Sequence, residues 1–108
     1  MDLIISGKNF KLTPDVKQYT QTKMGRLKRY WSRIVRVRVE LKLNKKGKNT
    51  HEADVLVEVP GKDIRLEQPA SSPRQAIDLL MPKLERLLNK AKAKLSQPKR
   101  RRLNQEQI

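Results

Sequence analysis

The sequence predicts an α+β domain with the element order β-α-β-β-β-α, and three observations lead there. Two segments repeat apolar residues at helical spacing, and each opens on a hydroxyl residue followed by proline, Thr13-Pro14 and Ser72-Pro73. Between them, three runs alternate apolar and charged or polar residues, the period of a half-buried strand. The chain has 108 residues, enough for one domain and not two.

Leu3, Ile4 and Ile5 form a short first strand that stops at Ser6-Gly7. Thr13 then caps a helix with Pro14 in its first turn and Asp15 beside the helix N-terminus. Val16, Tyr19, Leu27, Tyr30, Trp31 and Ile34 recur on one face, so this helix is expected to run to Ile34. Gly25 weakens it by roughly 1 kcal/mol relative to alanine but is not expected to stop it. Val35, Val37, Val39, Leu41 and Leu43 alternate with Arg36, Arg38, Glu40 and Lys42. After the polar loop Asn44–Asn49, Ala53, Val55, Val57 and Val59 alternate with Glu52, Asp54 and Glu58. Pro60-Gly61 turns the chain into a third run, around Ile64 and Leu66, that ends by Pro69. Ile77, Leu80, Leu84, Leu87, Leu88, Ala91 and Leu95 mark the last helix, which Pro82 should kink and Gln97-Pro98 should end. The expected organisation is a two-layer domain over 1–96, with two helices on one face of a mostly antiparallel four-stranded sheet, and a basic, disordered tail over 97–108.

Charge is the dominant compositional feature: 26 Lys and Arg against 11 Asp and Glu, a net +15. It is unevenly spread. The strand and loop region 35–71 carries eight bases and six acids, +2. The first helix, 13–34, carries six bases and one acid, +5, and the last helix with the tail, 72–108, ten bases and three acids, +7. Pairing Leu43 with His51 places Lys42 opposite Glu52 and Arg36 opposite Glu58, which reads as an ordinary solvated sheet surface. The helices lack such compensation. At about 100° per residue, Arg26, Arg29 and Arg33 fall on one flank of the first apolar arc, Lys17 and Lys28 on the other, and Lys23 inside it, where it must snorkel. Lys83, Arg86, Lys90 and Lys94 share a flank of the last helix, and Glu85 points elsewhere. Like charges at that spacing cost stability, so an outside polyanion is expected to balance them. Lys99, Arg100, Arg101 and Arg102 add possible tail contacts.

Other function classes find little support. The chain has no cysteine, which removes disulfides, thiolate metal sites and cysteine nucleophiles. His51 is the single histidine and sits at the edge of the apolar-facing set, the glycines are scattered, and Glu52 with Asp54 is read as surface charge opposing Lys42. No enzyme, cofactor or metal site is expected. Helix-turn-helix and zinc-finger patterns are missing. Of the four aromatics Phe10, Tyr19, Tyr30 and Trp31, three belong to the first helix's apolar arc, where a core role is expected rather than base stacking. Phosphate and shape recognition of folded RNA by basic helices is the expected mode.

The same residues resemble a known family. Ile5-Ser6-Gly7, Leu12-Thr13-Pro14, Lys23…Leu27…Arg29-Tyr30 and Ile34…Val37…Val39 are similar to the start of the bacterial ribosome hibernation-promoting factors, also called the ribosome-associated inhibitor or sigma-54 modulation family. Ala53-Asp54-Val55, Pro60-Gly61, Ala76-Ile77-Asp78 and Lys83-Leu84-Glu85-Arg86-Leu87-Leu88-Asn89-Lys90 continue the resemblance in one register from about residue 1 to 95. It implies a fold related to double-stranded-RNA-binding domains and a cytoplasmic, non-enzymatic protein that is a monomer when free. It further implies that the partner is the ribosome and its small-subunit ribosomal RNA, bound in the mRNA and tRNA channel so that idle ribosomes are silenced in stress or stationary phase. The family's basic positions correspond to Lys23, Arg26, Arg29 and Arg33, and to Lys83, Arg86 and Lys90. Two departures stand out: Ser72-Pro73-Arg74-Gln75 replaces an Asp-Met-Tyr-type segment, leaving Arg74 at the Tyr position, and Pro82 replaces an ordinary helix residue. The tail is neither an acidic extension nor an added dimerising domain, so ribosome dimerisation by this chain alone is not implied. The rival reading is a diverged basic RNA-binding module without hibernation activity. Membrane association ranks below both, because the tail offers only Leu103 and Ile108 as apolar anchors.

Overall fold

The structure is a computed structural model that describes residues 1–44 and 50–96. The tail cations Lys99 to Arg102 and residues 45–49 lie outside the described residues. The elements are β1 (Asp2–Lys8), α1 (Pro14–Gly25), α2 (Leu27–Tyr30), β2 (Arg36–Leu43), β3 (His51–Val59), β4 (Lys62–Ala70) and α3 (Pro73–Ser96).

The four strands form one sheet in the order β1-β2-β3-β4. β1 and β2 run parallel, as a strand–helix–strand crossover requires, and β2, β3 and β4 form an antiparallel meander. The expected register holds: Leu43 pairs with His51, Lys42 with Glu52 and Arg36 with Glu58. Alternation then assigns the faces. Val37, Val39, Leu41, Ala53, Val55, Val57 and Ile64 are buried beneath the helices, which contribute Met24, Leu27, Ile77, Leu80, Leu84 and Leu88 to the same core. The opposite face of the sheet is open.

Two glycines are required by geometry. A Cβ on Gly7 would stand 2.4 Å from the Phe10 carbonyl oxygen, so only glycine admits that close return of the chain. Gly61, at φ 95°, closes the β3–β4 turn.

Four expected element boundaries are corrected. The first helix does not run to Ile34. It is interrupted at Arg26, whose N–H turns to the Lys23 and Met24 carbonyls, and α2 ends when Trp31 becomes extended (φ −156°, ψ 108°). The flexible backbone of Gly25 permits the hitch, and leaving the helix buries Trp31 and Ile34, both at most 5% exposed, from a turn. Val35 precedes β2 and is 55% exposed instead of leading the buried set. β4 extends over Pro69 to Ala70, which an edge strand tolerates because its outer side needs no ladder partner. β1, likewise, passes Ser6-Gly7 and reaches Lys8. Pro82 lies within an α3 that is continuous from Pro73 to Ser96; both Pro82 and Asp78, whose carbonyl loses its i+4 donor, are exposed, so water can replace the missing bond.

Candidate nucleic-acid interface

The first group of cations rides on α1, α2 and the turn after them. The Thr13 hydroxyl accepts from the Val16 N–H at 3.4 Å and sets the rotation of α1. The buried Thr20 and Met24, with half-buried Val16 and Tyr19, then face the core. Lys23 falls among them, half-buried as its position in the arc requires, and its ammonium sits 5.3 Å from the centre of the Tyr19 ring. Because the helix breaks, Arg26, Arg29 and Arg33 do not share one helical flank: Arg26 is the joint, Lys28 and Arg29 belong to α2, and Arg33 stands in the following turn. Lys17, Arg26, Lys28, Arg29 and Arg33 are all exposed.

The second group lies on α3. Ser72 caps this helix by accepting from the Gln75 N–H at 3.1 Å, and the Gln75 side chain reaches back one residue beyond the cap to accept from the Ser71 N–H at 2.8 Å, a capping box displaced by one residue. Lys83 does not project freely: its ammonium donates to Gln68 Oε1 at 2.5 Å, satisfying a side chain on the helix-facing side of edge strand β4 that is only 7% exposed. Arg86, Lys90 and Lys94 are exposed. The opposite flank of α3 meets the other helices. There Asp78 accepts from the Tyr19 hydroxyl, Glu85 from that of Tyr30, and the Lys92 ammonium donates to the Tyr30 carbonyl at 3.1 Å. The Lys83–Lys94 stripe is therefore turned away from α1 and α2, and the structure does not merge the two basic groups into one strip.

Trp31 is core, as expected, while Tyr19 and Tyr30 sit half-buried at the seams between helices. Both phenols have pKa values raised above the ordinary 10.0, first through their hydrogen bonds to Asp78 and Glu85 respectively. Both remain neutral donors at physiological pH.

Ion pairing between described residues is confined to the open face of the sheet. Glu58 meets Arg36 at 3.5 Å and Arg38 at 3.6 Å, and Lys42 meets Asp54 at 2.5 Å and Glu40 at 3.7 Å. None of Lys23, Arg26, Lys28, Arg29, Arg33, Lys83, Arg86, Lys90 or Lys94 has a carboxylate partner among the described residues. On the open face Glu52, Asp54 and Glu67 bring carboxylate oxygens within 4.8 Å of one another. The hydrogen bond to Asp54, then burial, push Glu52 up to about 7. Burial opposes ionisation of Asp54, but hydrogen bonds from Glu52 and Lys42 outweigh it and lower its pKa. Lys42 is raised, first by its bond to Asp54, and supplies the cation these acids surround. His51 is half-buried and meets Phe10 edge-on, with ring centres 5.7 Å apart.

Sequence reasoning missed three participants. Glu67 joins the acids only through the β3–β4 register, which pairs it with Asp54. Gln68 faces the helices although it interrupts an apolar alternation, and that interruption was a usable signal. Arg74, visible only as a family departure, lies with its guanidinium 4.9 Å from the Tyr19 ring centre.

A two-layer domain whose ion pairs lie on the sheet, and whose exposed cations Arg26, Arg29, Arg86 and Lys90 on the helices have no carboxylate partner among the described residues, has the charge distribution of a basic binding module. More particularly, residues 3–96 match the family described as Sigma 54 modulation protein / S30EA ribosomal protein, and the chain belongs to that family. It is 36% identical to the ribosome hibernation promoting factor of Escherichia coli (strain K12) over 97 residues, 90% of this chain and 99% of that protein. It is 34% identical to the ribosome hibernation promotion factor of Bacillus subtilis (strain 168) over 98 residues, which make up 89% of this chain and 51% of that protein. Among solved structures, a ribosomal subunit interface protein from Coxiella burnetii superposes with a TM-score of 0.76 at 26% identity, covering 86% of this chain and 99% of that one. The N-terminal domain of Thermus thermophilus Protein Y does so with a TM-score of 0.73 at 27% identity, covering 83% and 98%.

Proposed function

We propose that this protein is a cytoplasmic, non-enzymatic ribosome-binding factor that promotes hibernation. In this reading it binds small-subunit ribosomal RNA as a monomer and occupies the mRNA and tRNA channel under stress or in stationary phase. The observation that carries the reading is the separation of charge: acids neutralise cations on the sheet, while the helix cations keep their charge for a ligand outside the molecule. Membership of a family whose relatives are named for ribosome hibernation supports the ribosome as that ligand. No helix among the described residues is long and apolar enough to cross a membrane.

Lys23, Arg26, Lys28, Arg29 and Arg33 form one contact group in this reading, and Lys83, Arg86, Lys90 and Lys94 a second one across α3. Two groups on different sides of a helix suit a folded RNA cavity with phosphates on more than one wall better than they suit one straight duplex. Lys99 to Arg102 would add contacts from the tail. Cosedimentation with small subunits, inhibition of translation relieved by mRNA and tRNA, and a ribosomal RNA footprint around the decoding centre test the proposal together. Protection confined to other sites, or preference for free duplex RNA, would replace it with a general RNA-binding role.

A further inference from the structure

Arg74 is out of place by the standards of its own helix. It occupies the first turn of α3, where the macrodipole disfavours a cation, and no acid stands in that turn to offset it. Asp78, four residues on, is at the spacing of a helical ion pair. Yet the Asp78 carboxylate accepts from the Tyr19 hydroxyl, and no ion pair joins it to Arg74. The guanidinium instead lies over the Tyr19 ring, which also carries the Lys23 ammonium. Both cations lie inside the roughly 6 Å range of cation–π attraction. Arg26 follows on the same turn as Lys23, its N–H donating to the Lys23 carbonyl at 3.2 Å, and its charge acts with that of Arg74 to lower the phenol's pKa against the stronger upward pull of Asp78.

Two cations thus share one ring, with Arg26 on the adjoining turn and a single carboxylate engaged at the ring's hydroxyl edge. Arg74 and Arg26 are exposed, and neither guanidinium donates a hydrogen bond to another described residue. A guanidinium held over a ring keeps its planar fork of N–H donors available for a bidentate acceptor, the geometry that phosphate oxygens match. The position on α3 is also telling. At about 100° per residue, Arg74 shares the flank of Asp78, Glu85 and Lys92 that meets α1 and α2, opposite the Lys83–Lys94 stripe.

We propose that Lys23, Arg26 and Arg74 form one phosphate-binding seat at the junction of α1 and α3, with Tyr19 as the positioning residue that holds the Lys23 and Arg74 head groups. The ligand is a phosphodiester of folded RNA, an assignment that rests on the ribosome-binding reading above. The seat itself does not depend on that reading, because any accessible phosphate can occupy it.

The test has two arms. In the free protein, inorganic phosphate is titrated while side-chain resonances of Tyr19, Arg26 and Arg74 are followed by NMR. Saturable shifts centred on these residues and lost in Arg74→Gln support the seat; their absence, or equal shifts at every surface cation, overturns it. In the second arm, small-subunit affinity is measured across a salt series. Arg74→Gln should weaken binding about five- to tenfold and reduce the salt slope by about one phosphate's share. Arg38→Gln, the same charge change on the open face, should leave both close to the parent. Tyr19→Leu should weaken binding as much as Arg74→Gln, and the double variant no further, while Tyr19→Phe retains most of the affinity because it keeps the ring. If Tyr19→Leu unfolds, Arg74→Gln and Tyr19→Phe still decide the outcome. A parent that shifts with phosphate but ignores small subunits defeats the ribosome reading and leaves the seat standing. A parent that binds small subunits as tightly as Arg74→Gln does, with the same slope, defeats the seat alone.

Discussion

The helix layer and the open face of the sheet use the same residue types in opposite ways. Across β2, β3 and β4 the open face presents four bases (Arg36, Arg38, Lys42, Arg65) and six acids (Glu40, Glu52, Asp54, Glu58, Asp63, Glu67), a net −2. Arg36 stands directly opposite Glu58 and Lys42 opposite Glu52, and where the register sets acids in one row, Glu40, Asp54 and Glu67, Lys42 reaches along its own strand to Glu40 and diagonally to Asp54. Residues 13–34 carry +5, and α3, with six bases and two acids, carries +4. The two acids of α3 are occupied by tyrosine hydroxyls at the helix seams and do not quench the exposed cations. On a pleated face a base can reach acids both across and diagonally on the neighbouring strand, whereas the flank from Lys83 to Lys94 repeats one sign along its length. In the proposed reading, this difference leaves one face to solvent and turns the other toward a polyanion.

The largest expected effect breaks the helix side of this contrast. Reversing Arg26, Arg29, Arg86 and Lys90 to glutamate changes the charge by eight units at exposed positions. It should lower small-subunit affinity on the order of a thousandfold while circular dichroism stays that of the parent. A folded variant that still cosediments fully would remove the helix cations from the interface. Reversing the open-face acids Glu40, Asp63 and Glu67 to lysine should not weaken binding.

The two faces share one core, and its loss should be felt by both. Leu84 is fully buried between α3 and the sheet. Leu84→Ala should cost about 2–5 kcal/mol in chemical denaturation. Gly7→Ala, forced against the Phe10 carbonyl, should cost about 1–3 kcal/mol, because the obstructing atom is backbone. By contrast, Leu56→Ala, half-buried on the open face, should fall below about 1 kcal/mol. A Leu56 effect equal to that of Leu84 would mean the open face packs against something.

The contrast was legible in the sequence to the extent that it depends on period. Alternation of two revealed the three meander strands, and parity with the loop length set Leu43 against His51. Apolar spacing could not find the end of the first helix, because Trp31 and Ile34 lie at helical spacing whether the chain continues as a helix or turns to bury them. Pro69 looked like a stop because edge position, which makes proline harmless, is a property of the sheet and not of the strand. At the interface the residue types could be read, but not their neighbours. Lys83 is tied to Gln68 and Arg74 to Tyr19 by contacts 15 and 55 residues apart in sequence. Glu67 enters the acidic cluster only through its partner strand.

The smallest expected effect tests the sheet side. Lys42→Met leaves Glu52, Asp54 and Glu67 without their central cation, yet the group is wet enough that the loss should stay within about 1 kcal/mol. Glu52 makes this testable by pH. Its carboxyl titrates near 7 in the folded protein and near 4.5 when unfolded, so between those values the folded state binds more protons. Stability from this group is therefore present below about pH 4.5, declines as pH rises through 7, and is level above that. Asp54, lowered on folding, has the opposite sign, but its contribution is lost only below the ordinary carboxylate range. Glu52→Gln cannot ionise; in melting experiments it should match the parent near pH 5 and exceed it slightly at pH 8. If both proteins instead change in parallel from pH 5 to 8, Glu52 is an ordinary surface acid and the open face is neutralised pair by pair, without the shared proton between Glu52 and Asp54.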